Sequence, residues 1–121
     1  MSRIIILFSV LTGCAIDGVY TGECTLESGS SKYVYEVEVD IDQDGEDIGG
    51  DALVLFPEQG SYGSGVIDGS KIGDDVEMLL KFEEGALTDA NMTLDGSIDG
   101  RDITGGCERG SLFGSFTVTR R

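Results

Sequence analysis

From residue 32 to residue 42 the chain alternates without a break. Tyr33, Tyr35, Val37, Val39 and Ile41 fall on one side, and Lys32, Val34, Glu36, Glu38, Asp40 and Asp42 on the other. Successive side chains of a strand point to opposite faces, so this is the pattern of an antiparallel strand with one face in a core. Seven further strands are expected at 19–26, 48–56, 64–68, 76–82, 91–98, 102–108 and 112–119. Turn dipeptides separate them: Asp44-Gly45, Asp68-Gly69, Glu84-Gly85, Asp99-Gly100 and Arg109-Gly110. Asp-Gly between apolar runs signals a two-residue type I′ hairpin. Connections this short make each strand pair with the next. The expected fold is therefore all-β, an eight-stranded antiparallel up-and-down meander barrel.

The segment 74–84 also fits a helix, with Asp74 as N-cap and Val76, Leu79, Leu80 and Glu83 at helical spacing. An internal echo favours a strand. Gly65-Val66-Ile67-Asp68-Gly69-Ser70-Lys71-Ile72 matches Gly96-Ser97-Ile98-Asp99-Gly100-Arg101-Asp102-Ile103, and the second copy runs into glycine-rich sequence that makes poor helix. If both copies are the same strand–turn–strand unit, 76–82 is a strand.

Composition closes off several classes. The 121 residues hold 23 acids and 8 bases, a net charge of −15, which argues against nucleic acid because phosphates need clustered Lys and Arg. With no histidine, His-dependent triads and the usual zinc sites are excluded. No spacing singles out a pair of carboxylates for glycoside hydrolysis, so the chain reads as a non-enzyme.

The first residues stand apart. Met1-Ser2-Arg3 precedes an apolar run, 4–11, that is too short to span a bilayer but has the proportions of a signal-peptide core. At Leu11-Thr12-Gly13-Cys14 the chain resembles a bacterial lipoprotein, whose lipobox ends in the cysteine that is lipidated and becomes the mature N-terminus. The resemblance implies a signal peptide at 1–13 and lipidation of Cys14; residues 14–17 are then the tether to the barrel that the strand pattern places over 18–121. Ala15 in place of Asp after the cysteine implies outer-membrane sorting. Three cysteines leave an odd one, and assigning Cys14 to the lipid leaves Cys24 and Cys107 as a disulfide in an oxidising compartment. By an up-down count both cysteines fall toward one end of the barrel, two strand spacings apart, so the bond needs inward-leaning ends or a place in the hairpin loops.

The mature chain resembles the avidin-like and lipocalin-like barrels in architecture and in its Val19-Tyr20-Thr21-Gly22 opening. It has no tryptophan, whereas avidin-type proteins hold biotin against tryptophans and lipocalins carry a Gly-x-Trp near the first strand, so neither ligand carries over. One stretch resembles a calcium loop of the EF-hand type: Asp40, Asp42 and Asp44 at positions 1, 3 and 5, Gly45 at 6, Glu46 at 7 and Asp51 at 12. Calcium takes six to eight hard oxygen ligands, and alternate carboxylates wrap one ion where the chain turns sharply. The competing reading makes Asp40 and Asp42 the water face of a strand and Asp44-Gly45 its hairpin.

Two functions follow as expectations. In the first, the chain is a membrane-anchored, non-enzymatic structural component of the cell envelope. In the second, it is a binding or inhibitor module for a basic protein, similar to the small β-barrel lipoproteins that block lysozymes, or a small-ligand-binding calycin-like barrel. The partners expected of the monomer are the membrane, through the lipid, and a basic protein. The turns in 40–47, 68–75 and 99–102 are expected to gather acidity at the end opposite the cysteines, beside the tether.

Overall fold

The computed structural model describes residues 15–121. Eight antiparallel strands follow one another around a closed barrel: β1 (Gly18–Ser28), β2 (Ser31–Asp44), β3 (Asp47–Phe56), β4 (Ser61–Ile72), β5 (Asp75–Gly85), β6 (Met92–Asp99), β7 (Asp102–Arg109) and β8 (Leu112–Arg120). Strand β8 pairs back onto β1, Cys24 lying opposite Phe116. The meander is as expected, and the helix-like segment is strand from Asp75 to Gly85, with Asp74 in the turn before it.

Period two decides what goes inside. In β2, Tyr35, Val37, Val39 and Ile41 are buried, and in β3 the buried set is Ile48, Ala52, Val54 and Phe56. Tyr20, Leu26, Met78, Leu80, Met92, Leu94, Ile103 and Val118 fill the barrel interior with essentially no exposure. A small eight-stranded barrel has room for little besides its own side chains.

Five of the seven connections are two-residue hairpins closed by the pairs Ser28↔Ser31, Asp44↔Asp47, Ile72↔Asp75, Asp99↔Asp102 and Arg109↔Leu112. Each has glycine at its first central position, with φ between 62° and 66°, and a non-glycine residue at the second, where φ is not positive. Positive φ at the first position alone is the type II′ arrangement, so the expected type I′ is corrected: the acid before the glycine closes the ladder instead of entering the turn. The other two connections carry short 3₁₀ turns at Pro57–Gln59 and Ala86–Asp89.

A second correction concerns Asp68-Gly69, which lies inside β4 and not in a turn; the chain reverses at Gly73 instead. The first copy of the echo is thus a continuous strand where the second bends at Gly100. Gly69 serves close approach: a Cβ there would lie 2.1 Å from the carbonyl oxygen of Glu77. The same holds for the inward glycines Gly22, Gly65, Gly96 and Gly114, whose Cβ would fall 1.7–1.9 Å from a neighbouring strand's carbonyl oxygen. Strands can bend this sharply around a narrow core only where no side chain intervenes.

Both ends are stoppered. At the end of the hairpins at Gly45, Gly73 and Gly100, residues 15–17 cross the opening. Ile16 is buried, its N–H donates to Gln43 Oε1 (2.8 Å), and the N–H of Gln43 donates to Asp17 Oδ1 (2.6 Å). At the other end Arg109 lies over the Tyr35 ring, 5.9 Å from its centroid. Its Nη2 donates to the Leu87 carbonyl (3.1 Å) and to Asp89 (2.7 Å), holding the 3₁₀ turn over the opening.

Candidate functional site

The residues singled out by sequence reach different places. Cys14 and the segment 1–13 lie outside the described residues. Cys24 and Cys107 are bonded, with Cα atoms 6.2 Å apart, and both are buried. Neither sits in a hairpin loop. Cys24 is paired with Phe116 and Cys107 with Gly114, so β8 runs between them and the bond crosses the interior behind it. At Gly114 β1 and β8 come so close that a Cβ would meet Thr25 O at 1.7 Å. This fold in the wall brings β1 and β7 within disulfide reach across two strand spacings.

The five acids of the calcium-like stretch are not drawn around one point. Asp40, Asp42 and Asp44 are spaced along the extended β2, Glu46 is the second central residue of the hairpin, and Asp51 lies opposite Asp40 on β3. Among the described residues no three Asp, Glu or Cys side chains are close enough together to hold a metal ion. The hairpin register, Asp44 against Asp47, leaves the turn only two residues, too tight to wrap the chain about an ion.

The expected gathering of acids at the hairpin end is tempered by bases. Asp44, Glu46, Asp47, Asp74, Asp75, Asp99 and Asp102 surround those turns, but Lys71, Arg101, Arg120 and Arg121 stand among them. Arg101 donates to the Arg120 carbonyl, and Arg120 Nη1 donates to the Asp17 carbonyl (3.3 Å), tying the strap at 15–17 to the end of β8.

Inside the barrel, the Tyr20 hydroxyl is a buried polar group with no hydrogen-bond partner among the described residues. Burial pushes its pKa above the usual 10; Arg120 works against that rise and Asp17 adds to it. The unfolded chain therefore releases this proton at lower pH than the folded one, and the associated stability is present below pH 10 and lost as pH rises above it. Tyr20→Phe removes both the unpaired hydroxyl and this ionisation. We expect the variant to be more stable by about 1 kcal/mol at neutral pH, with a wider margin above pH 10. Urea midpoints measured across that range check it; a variant less stable throughout would mean that the hydroxyl is satisfied in solution.

No motif in the sequence marks the outer wall of β2, β3 and β4. Of the seven large hydrophobic residues exposed among the described residues, six lie on these three adjacent strands: Val34, Leu53, Leu55, Tyr62 and Val66, 36–46% exposed, on the wall, and Ile72 at the hairpin end of β4. The register sets Leu55 between Glu36 and Tyr62, Leu53 between Glu38 and Ser64, and Val66 opposite Asp51. A furrow runs on either side of Leu53. One, of about 340 Å³, is walled by Thr21, Glu23, Glu36, Glu38 and Leu55. The other, of about 510 Å³, is walled by Asp40, Asp51, Val66, Glu83 and Glu84. The signal lay in the phase of β3: once Ala52, Val54 and Phe56 point inward, Leu53 and Leu55 must point out.

No protein-family model, curated protein or solved structure matches the chain.

Proposed function

We propose that this chain is a lipoprotein of the bacterial cell envelope, anchored in the outer membrane through Cys14, whose barrel is a rigid, non-enzymatic body acting through its outer wall. The observation that carries the reading is the Cys24–Cys107 disulfide. Disulfides persist in oxidising compartments such as the periplasm and the cell surface. The pairing leaves a single cysteine over, and that cysteine closes the sequence Leu11-Thr12-Gly13-Cys14.

The packed interior supports the rest. Among the described residues no polar or charged residue is buried apart from the core tyrosines, so the core holds no carboxylate or amine. Its volume is taken by side chains, which speaks for the structural or binding role over the calycin-like ligand cavity. The strap at 15–17 would place the lipid directly beside the hairpin end. Residues 14 to 16 span about 7 Å even fully extended, so the barrel would ride against the membrane with little freedom to tilt.

Labelled palmitate should enter the wild-type chain in bacteria and vanish in Cys14→Ser, with the wild type released from membranes only by detergent. Two acyl chains hold a protein to a bilayer stably, whereas one does so only marginally. Unlabelled wild type, released by salt alone, overturns the anchor.

A further inference from the structure

We propose that the outer wall of β2, β3 and β4 is a docking surface for a cationic protein segment that sets apolar side chains between its basic ones. The inference rests on the reading that the barrel acts through its outer wall, but not on the lipid anchor. Labelling of Cys14 can fail without touching it, and it can fail while Cys14 is labelled.

Two independent features coincide on this face. Leu53, Leu55, Tyr62 and Val66 form a contiguous exposed apolar strip, since residues directly opposite and diagonal on one sheet face lie within side-chain reach. Single exposed apolar residues need no explanation, but a clustered strip rimmed by polar groups marks an interaction surface. The rim is predominantly acidic: Glu23, Glu36 and Glu38 border one furrow and Asp40, Asp51, Glu83 and Glu84 the other, while Lys81, opposite Val66, is held by Asp68 at 3.1 Å. Against these carboxylates stands the guanidinium of Arg121, held by Glu38 at 2.6 Å.

The arrangement works against the fold's own stability. Glu23 lies directly opposite Glu36, and Asp40 directly opposite Asp51. Like charges in such cross-strand pairs are destabilising, and a partner that brings lysine or arginine between them removes the repulsion as it binds. An apolar strip supplies affinity, and a carboxylate rim supplies steering and the choice of partner sign.

The charge also decides among occupants. A second copy would set the same carboxylates against one another across a two-fold axis, in a chain whose net charge is already −15. An anionic lipid surface is repelled for the same reason. A cationic amphipathic segment satisfies both the strip and its rim.

The test uses residues 15–121, the span that forms the whole closed barrel with its disulfide. Two peptides of equal charge serve as probes, one alternating lysine with leucine and one alternating lysine with serine. Binding is followed by calorimetry at 150 mM salt, a concentration that screens distant charge, and by amide chemical shifts. The lysine–leucine peptide should bind about tenfold or more tightly than its counterpart, with shifts concentrated at 36–40, 51–55, 62–66 and 83–84. The double variant Leu53→Ser/Leu55→Ser should reduce it to the lysine–serine level, while Ile72→Ser, an exposed apolar residue at the hairpin end, should leave it unchanged. Glu38→Gln/Asp51→Asn provides a second route that spares the apolar residues: it should weaken binding and flatten its salt dependence. Equal affinity for both peptides, absence of binding, or shifts centred on the turns at Gly45, Gly73 and Gly100 overturns the proposal. So does a dimer in sedimentation that is lost in Leu53→Ser/Leu55→Ser, which would make the strip a self-interface.

Discussion

Replacing Cys24 and Cys107 together by alanine should remove about 4–5 kcal/mol of stability. That is the chain-entropy value for a crosslink closing a loop of this length, the two residues being 83 apart in sequence. Small domains have only about 5–15 kcal/mol in total, so the variant should sit close to its unfolding transition at physiological temperature. The bond is also the interior tie between β1 and β7, while β8, between them, is held by its ladders and its inward side chains. Comparing urea midpoints of the oxidised protein, the reduced protein and the double-alanine variant checks this. A loss of less than about 1 kcal/mol would mean that the unfolded chain is compact without the crosslink.

Gly114→Ala should be more damaging still, although it adds a single methyl group. A Cβ at this position would lie 1.7 Å from Thr25 O and 2.7 Å from the Thr25 carbonyl carbon, and backbone cannot swing aside as a flexible side chain can. We expect a loss above about 4 kcal/mol, the range reserved for severe steric or packing failures, and no soluble folded protein. Gly106→Ala is the matched control. Gly106 faces outward next to Cys107, its Cβ would meet nothing closer than 3.9 Å, and the change restricts the unfolded chain. That variant should melt at or slightly above the wild-type temperature. A Gly114→Ala protein melting within a few degrees of wild type would show that the strands can separate at this corner at little cost.

The glycines also explain where the sequence was hard to read. Strand β2 was legible because apolar side chains occupy its inward positions from Tyr33 to Ile41. Strand β4 is legible only over 64–68, because Gly63, Gly65 and Gly69 take the inward positions around Ile67 and leave that residue as the single apolar marker for period two to detect. The same residues were easily mistaken for punctuation, which is how Asp68-Gly69 came to look like a turn. The disulfide followed from counting, but its route through the interior depends on the wall folding at Gly114, a tertiary property. The acidic stretch at 40–46 drew attention because its residues are close in sequence. The carboxylates that share a furrow come instead from β2, β3 and β5, and only the cross-strand register brings Asp40, Asp51 and Glu84 onto one face.

Pairing of β8 with β1 closes the ring of strands. Every open sheet leaves a row of main-chain N–H and C=O groups on its outermost strands, ready to template another chain, and a closed ring leaves none. A binding peptide therefore cannot be captured by strand addition, the mode that reads backbone first and side chains second. On the barrel, recognition therefore falls to side chains and not to open strand backbone. By the same closure, a barrel made almost wholly of β-strands is spared the lateral self-association that exposed strand borders invite.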